Sequence, residues 1–292
     1  MCRLRIVLDV KIVCTSTLSD KLADPELHQH PLLLVDPAYH SNVGDTLISY
    51  GELALIERMG FRNHTECHIA QSLGRSQACG DFKQFENNSL ALWQGSGGWG
   101  DLWERETITM RRPKTFVQMM KKNMTVISMP SSLFYANKTL ERGDAKLWME
   151  NIAKAADKNI SRDKIILTWR QNDSYSRGSS LYNLVDNRLV PDAAFMIGPL
   201  EENDNWRKNK KKVDILFLLR TDKESKYIKE RSTNSLRKLL DSIDESRGFS
   251  FHLVDWWDMD KFYNSSSSHT GPDFKYQVLK ICSQTHLIRF WD

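Results

Sequence analysis

Leu32-Leu33-Leu34-Val35-Asp36, then Ser41-Asn42-Val43-Gly44-Asp45, then a stretch from Thr46 to Met59 decides the fold. The first is a short continuous apolar run, the pattern of a parallel strand buried on both faces. The second is rich in turn formers. In the third, Leu47, Ile48, Leu53 and Ile56 recur at helical spacing, and Gly60 closes it. Together they predict a β-loop-α unit.

The unit repeats along the chain. Leu90 to Gln94 predicts a strand, Gly95 to Asp101 a glycine loop, and a helical stretch follows. Thr125 to Met129 predicts a strand stopped by Pro130. Residues 141–158 predict a helix with Leu147, Met149, Ile152 and Ala155 on one side. Lys164 to Trp169 and Asp192 to Ile197 predict two more strands, and Cys67-His68 a buried one. Alternating strands and helices imply a doubly wound parallel sheet.

Composition then shifts. Residues 200–212, with Glu201-Glu202-Asn203-Asp204 and the run Arg207 to Lys212, read as a charged linker. Val213 to Leu219, Ser235 to Ile243 and Phe249 to Val254 give strand, helix, strand. The organisation expected is an irregular segment over 1–30, a Rossmann-like domain over 31–199, the linker, and a partial Rossmann-like domain over 213–292. The fold class is α/β with two such domains, the second too short for a full doubly wound sheet.

Apolar residues are 40% of the 292, charged residues 27%, and the formal net charge is +4. This supplies ample core and no concentrated basic face, so nucleic acid is not an expected partner. No C-x-x-C, H-x-x-x-H or G-x-S-x-G pattern occurs, so no metal site or catalytic triad is expected. No run of about 18 apolar residues exists to span a membrane. Of the five cysteines, Cys67 and Cys79 could pair in an oxidising compartment, and scattered thiols are an equal reading. Seven Asn-x-Ser/Thr sequons, at Asn63, Asn87, Asn123, Asn137, Asn159, Asn172 and Asn264, exceed the roughly two expected by chance. They favour a lumenal place in the secretory pathway, the Golgi above all, over the cytoplasm.

Candidate chemistry sits in loops following strands, where open parallel sheets bind ligands. Asn42, Gly44 and Asp45 form the first; a capped turn explains them equally well. Gly95-Ser96-Gly97-Gly98-Trp99-Gly100-Asp101 matches G-x-G-x-x-G, but residues 116–136 hold no Asp or Glu to grip a ribose. What remains is a loop, read as opening a helix, whose Gly97 and Gly98 offer backbone donors to an anion or hydroxyl. Arg170, after the strand ending at Trp169, and Arg220, after Leu219, can each fork onto a carboxylate or phosphate, or pair with a nearby Asp.

Taken together, these loops resemble the polysaccharide pyruvyltransferase family. Its Asn-x-Gly-Asp motif is similar to Asn42-Val43-Gly44-Asp45, and its Gly-Gly-Gly-x-x-x-Asp loop to Gly95–Asp101. Its strand ending in Gly/Pro-Gln-Ser resembles Met129-Pro130-Ser131-Ser132. Its Arg-Glu-x-x-Ser segment resembles Arg170-Gln171-Asn172-Asp173-Ser174, and a following Pro-Asp resembles Pro191-Asp192. The resemblance implies two Rossmann-like halves in the GT-B manner and transfer of pyruvate from phosphoenolpyruvate onto two sugar hydroxyls as a ketal. No cofactor or metal is implied. Asp45, Asp101 and Arg170 become the catalytic candidates; Asn42, Gly44, Gly97, Gly98, Ser131, Ser174 and Arg220 become binding candidates. The family's late Arg-Leu-His-Gly motif is absent, so the second domain is expected to be incomplete. The alternatives are a GT-B enzyme using a nucleotide sugar and a non-catalytic glycan-binding remnant.

Overall fold

The computed structural model describes residues 18, 30–38, 43–61, 63–68, 82, 85, 89–103, 109–110, 112–156 and 162–197, and three strands beyond them. The first apolar run forms β1 (Leu32–Val35), buried along its length. Helix α1 (Val43–Arg58) starts three residues before the expected Thr46. Then come β2 (His64–Cys67), β3 (Leu90–Trp93), the two-residue β4 (Trp99–Gly100) and α2 (Arg112–Lys121). They are followed by β5 (Thr125–Ser131), β6 (Leu133–Phe134), α3 (Lys138–Ala156), β7 (Ile165–Trp169), α4 (Asn172–Leu181) and β8 (Asp186–Leu189).

Six strands form one parallel sheet in the order β2-β1-β3-β5-β7-β8, as an α/β doubly wound reading requires. The chain moves outward from β1 to β2, then returns to the other side for β3 and everything after it. Because crossovers between parallel strands are right-handed, this reversal puts helices on both faces. Side-chain parity follows. Leu32, Leu34, Leu90, Leu92, Ile127 and Ile166 face one core with Ile48, Leu55 and Ile56 of α1. Leu33, Val35, Ala91, Trp93, Val126 and Leu167 face the other with Phe116 of α2, Trp148 of α3 and Tyr182. The second core is aromatic: Trp99 lies 5.2 Å from Trp148, 5.5 Å from Trp169 and 5.4 Å from Tyr182, centre to centre.

Four local expectations are corrected. Pro130 does not stop its strand: β5 runs through it to Ser131, with a register shift against β7 between Ser128 and Ser131 that accommodates the missing N–H. Residues 193–197 are a 3-10 turn, because the Asp192 carboxylate accepts from the Ala194 N–H at 2.9 Å and winds the chain. The glycine loop does not pass directly into a helix: Trp99–Gly100 pairs with β6, residues 101–103 are bends, and the next helix among the described residues is α2. On α3, Leu147 is exposed while Glu141 and Asp144 are buried, so the inward face is turned from the apolar count.

Contacts divide the chain into residues 1–39 with 47–198, and residues 40–46 with 199–292. The second unit holds a parallel three-stranded sheet of β9 (Ile215–Leu219), β10 (Phe251–Asp255) and β11 (Leu287–Ile288), ordered β10-β9-β11. The expected helix over Ser235 to Ile243 lies outside the described residues.

Candidate functional site

In a doubly wound sheet the loops leaving the strand C-termini converge on one edge, and ligands bind there. Here the loops after β3, β5 and β7 are tied to one another. The Ser132 N–H donates to the Ser96 carbonyl at 3.0 Å, and the Arg170 N–H to the Ser131 carbonyl at 3.1 Å. Ser131 is fully buried; its hydroxyl donates to the Met129 carbonyl at 2.8 Å and accepts from the Ser96 N–H at 3.4 Å.

Arg170 follows β7, and two of its three guanidinium nitrogens are engaged. Nε donates to Ser132 Oγ at 2.6 Å and Nη1 to Asp192 Oδ2 at 2.7 Å. Nη2 has no partner among the described residues, and the side chain is about one-fifth exposed. Arg170 is thus paired with an Asp, as one of its two readings expected, and Nη2 keeps two N–H groups without a partner among the described residues. Two residues on, α4 begins at Asn172 behind Gln171, whose side chain makes no cap. The first N–H groups of such a helix have no intrahelical acceptor and carry partial positive charge. Ser174 does not face that opening. Its buried hydroxyl accepts from the Leu133 N–H at 3.0 Å and lies 3.4 Å from Gln171 Oε1, joining β6 to α4.

The glycine loop is used differently. The Gly95 N–H donates to buried Glu52 at 2.7 Å, the Gly98 N–H to Ser96 Oγ at 3.0 Å, and the Gly100 N–H to Thr109 Oγ1 at 3.0 Å. Thr109 Oγ1 also lies within hydrogen-bond distance of the Gly98 and Gly100 carbonyls, at 3.2 and 2.8 Å. Gly97 is half-buried in the same loop. Gly100 has φ of +132°, and a Cβ there would overlap the Phe134 carbonyl; one on Gly95 would lie 2.5 Å from the Pro130 carbonyl oxygen. These glycines permit close backbone packing. Asp101 accepts from the Ala136 N–H at 2.8 Å and the Asn137 N–H at 2.9 Å, one per carboxylate oxygen, and so holds the turn into α3.

Gly44 and Asp45 lie in the first turn of α1, where a carboxylate complements the helix dipole. Asn42 and Arg220 lie outside the described residues. At the end of β1, Asp36 adopts φ of +56°, and His68 Nδ1 lies 3.9 Å from its carboxylate. Burial lowers the His68 pKa, against the fields of Asp36 and Glu66. Cys67 is disulfide-bonded; all four other cysteines lie outside the described residues.

Residue typing missed Glu52, Thr109 and Arg112, none of which stands in a motif. Ser132 and Asp192 stood in motif segments, yet only the three-dimensional contacts single them out as the clamp on Arg170. Among the described residues, no group of three or more His, Cys, Asp or Glu could hold a metal ion, and no helix is long and apolar enough to cross a membrane. No protein-family model and no curated protein matches the chain.

Proposed function

We propose that this protein moves the pyruvate unit of phosphoenolpyruvate onto two hydroxyls of a sugar, as a pyruvyltransferase with two Rossmann-like halves. One observation carries the reading. Met129–Ser132, Arg170–Ser174 and Pro191-Asp192, which bear the family resemblance, meet by direct hydrogen bonds around one half-open guanidinium at a strand C-terminus. Phosphoenolpyruvate carries a carboxylate and a phosphate, and an Arg fork beside a helix N-terminus suits either.

The reaction asks for two new bonds at C2 of the donor. One hydroxyl oxygen adds to C2 while its proton reaches the methylene carbon, making it a methyl group. The second oxygen displaces phosphate, which leaves with the remaining proton equivalent. Arg170 holds the anionic donor in this scheme, and Asp101 orients an attacking hydroxyl. A lumenal setting is supported by the exposure of Asn63, Asn123, Asn137 and Asn172, the four sequon asparagines among the described residues, and by the bonded Cys67.

The test is turnover by the full chain with phosphoenolpyruvate and a galactose-terminated glycan. Equimolar phosphate release with an acid-labile charge gained by the glycan is expected. Absence of both from folded protein would overturn the proposal, and consumption of a nucleotide sugar instead would favour a GT-B glycosyltransferase.

A further inference from the structure

A second arginine, on α2, stands in the opposite condition from Arg170. Arg112 is only 3% exposed, and its guanidinium carbon lies 5.3 Å from the Trp93 ring centre and 5.0 Å from that of Trp99. Its Nε and Nη1 are buried with no hydrogen-bond partner, and it forms no ion pair among the described residues. The indole N–H groups of Trp93 and Trp99 are likewise buried without an acceptor. Asp36, at the end of β1, is close enough to favour the charged form, as are Tyr182 and Tyr135, yet burial still lowers the pKa to about 10. The group is therefore still a cation at neutral pH.

This arrangement needs a physical explanation. Native interiors leave few polar groups unsatisfied, and an uncompensated buried charge is among the most destabilising. Contact with two indole faces offsets only part of that loss. Every unsatisfied atom of these three residues is a donor, and one of the residues carries positive charge. The missing element is an acceptor with negative charge. Its location is also informative: Trp93 is the last residue of β3, Trp99 belongs to the glycine loop, and Asp36 directly follows β1. Strands β1 and β3 flank the point where the strand order reverses, the usual ligand crevice of such sheets.

We propose that Arg112, with the indole N–H groups of Trp93 and Trp99, forms a buried site for a small oxyanion, a carboxylate or a phosphate, behind the glycine loop. The inference rests on unsatisfied donors and not on the proposed transferase activity. In this account Thr109 has a defined part. Its three contacts with Gly98 and Gly100 fix the loop that carries Trp99 against the guanidinium.

The experiment is titration of the full chain with inorganic phosphate and, separately, with pyruvate, at ionic strength held constant with sodium chloride. Tryptophan fluorescence and melting temperature are read together. A saturable response to one of the two is expected, and which one identifies the oxyanion class. Arg112→Met, of similar length and uncharged, should weaken the apparent affinity at least tenfold while melting no lower than wild type without anion, since the buried charge is gone. Arg112→Lys keeps the charge and should retain part of the response, which preserves the test if the Met variant folds poorly. In an Arg170→Ala background, where the donor site proposed above no longer answers either anion, Arg112→Met should still weaken the remaining response at least tenfold, which separates the two sites. No saturable response to either anion would overturn the inference. So would a response unchanged in the Met and Lys variants, or one reproduced by chloride alone.

Discussion

The loops after β3 and β7 leave neighbouring regions of one sheet edge, yet their donors are used differently. The glycine loop matches a nucleotide-binding pattern by sequence, but the Gly95, Gly98 and Gly100 N–H groups are taken up within the protein. The loop after β7 has no glycine and no nucleotide-binding pattern, yet it presents an oriented cation with one nitrogen open. The difference teaches that glycine in a strand-end loop reports backbone crowding as readily as ligand binding. A ligand site is better recognised by donors left over after internal bonds are counted.

Substitutions can break or sharpen this contrast. The largest effect is expected from Gly100→Ala, where positive φ and overlap with the Phe134 carbonyl act together. A loss of about 4 kcal/mol or more is expected by urea unfolding, among the exceptional values for single substitutions. Near-neutral behaviour would mean that the loop is not locked. In the β7 region, Gly178→Ala would press a methyl group into the Trp169 indole and should cost about 2 kcal/mol. Asp192→Ala removes the acceptor for Arg170 Nη1 and should cost roughly 1.5 kcal/mol, the range for a hydrogen bond to a charged group. As a control on glycine itself, Gly143→Ala lies on an exposed helical surface with nothing within 4 Å of the new methyl group. It should stabilise by about 0.8 kcal/mol, and a loss there would show that helical glycines in this protein are not judged by steric space alone.

Acid should act mildly, near the end of β1. The His68 pKa is lowered in the folded chain, so the unfolded state takes up the proton first as pH falls. Stability should therefore decline as pH drops below about 6.5, the ordinary histidine value, and His68→Asn should lose part of that decline in a melting series.

Much of the larger sheet was legible. Runs such as Leu32–Val35, Leu90–Trp93 and Ile165–Trp169 are apolar on both faces, which a strand between two helical layers requires. Strand β8, Asp186-Asn187-Arg188-Leu189, was not legible, because an edge strand with partly exposed residues needs no apolar run. The turn at Ala193–Ile197 looked like a strand because its residues are apolar; the Asp192 cap decided otherwise. At the site, Arg170 could be chosen from its place after a buried run. Its clamp could not, since Ser132 and Asp192 lie 38 and 22 residues away along the chain. Arg112 was the least legible. An arginine beginning a helix is usually solvated, and only packing against Trp93 and Trp99 reveals that this one is not.

The contrast between the loops makes Arg170 the centre of the account, and ligand-dependent stability tests it most directly. Melting of the full chain with and without phosphoenolpyruvate at 100 times its dissociation constant should show a gain of about 2.7 kcal/mol. Arg170→Ala should remain folded and lose that gain. A gain of equal size in Arg170→Ala, or none in folded wild-type protein, would contradict the assignment of the β7 loop as the donor site.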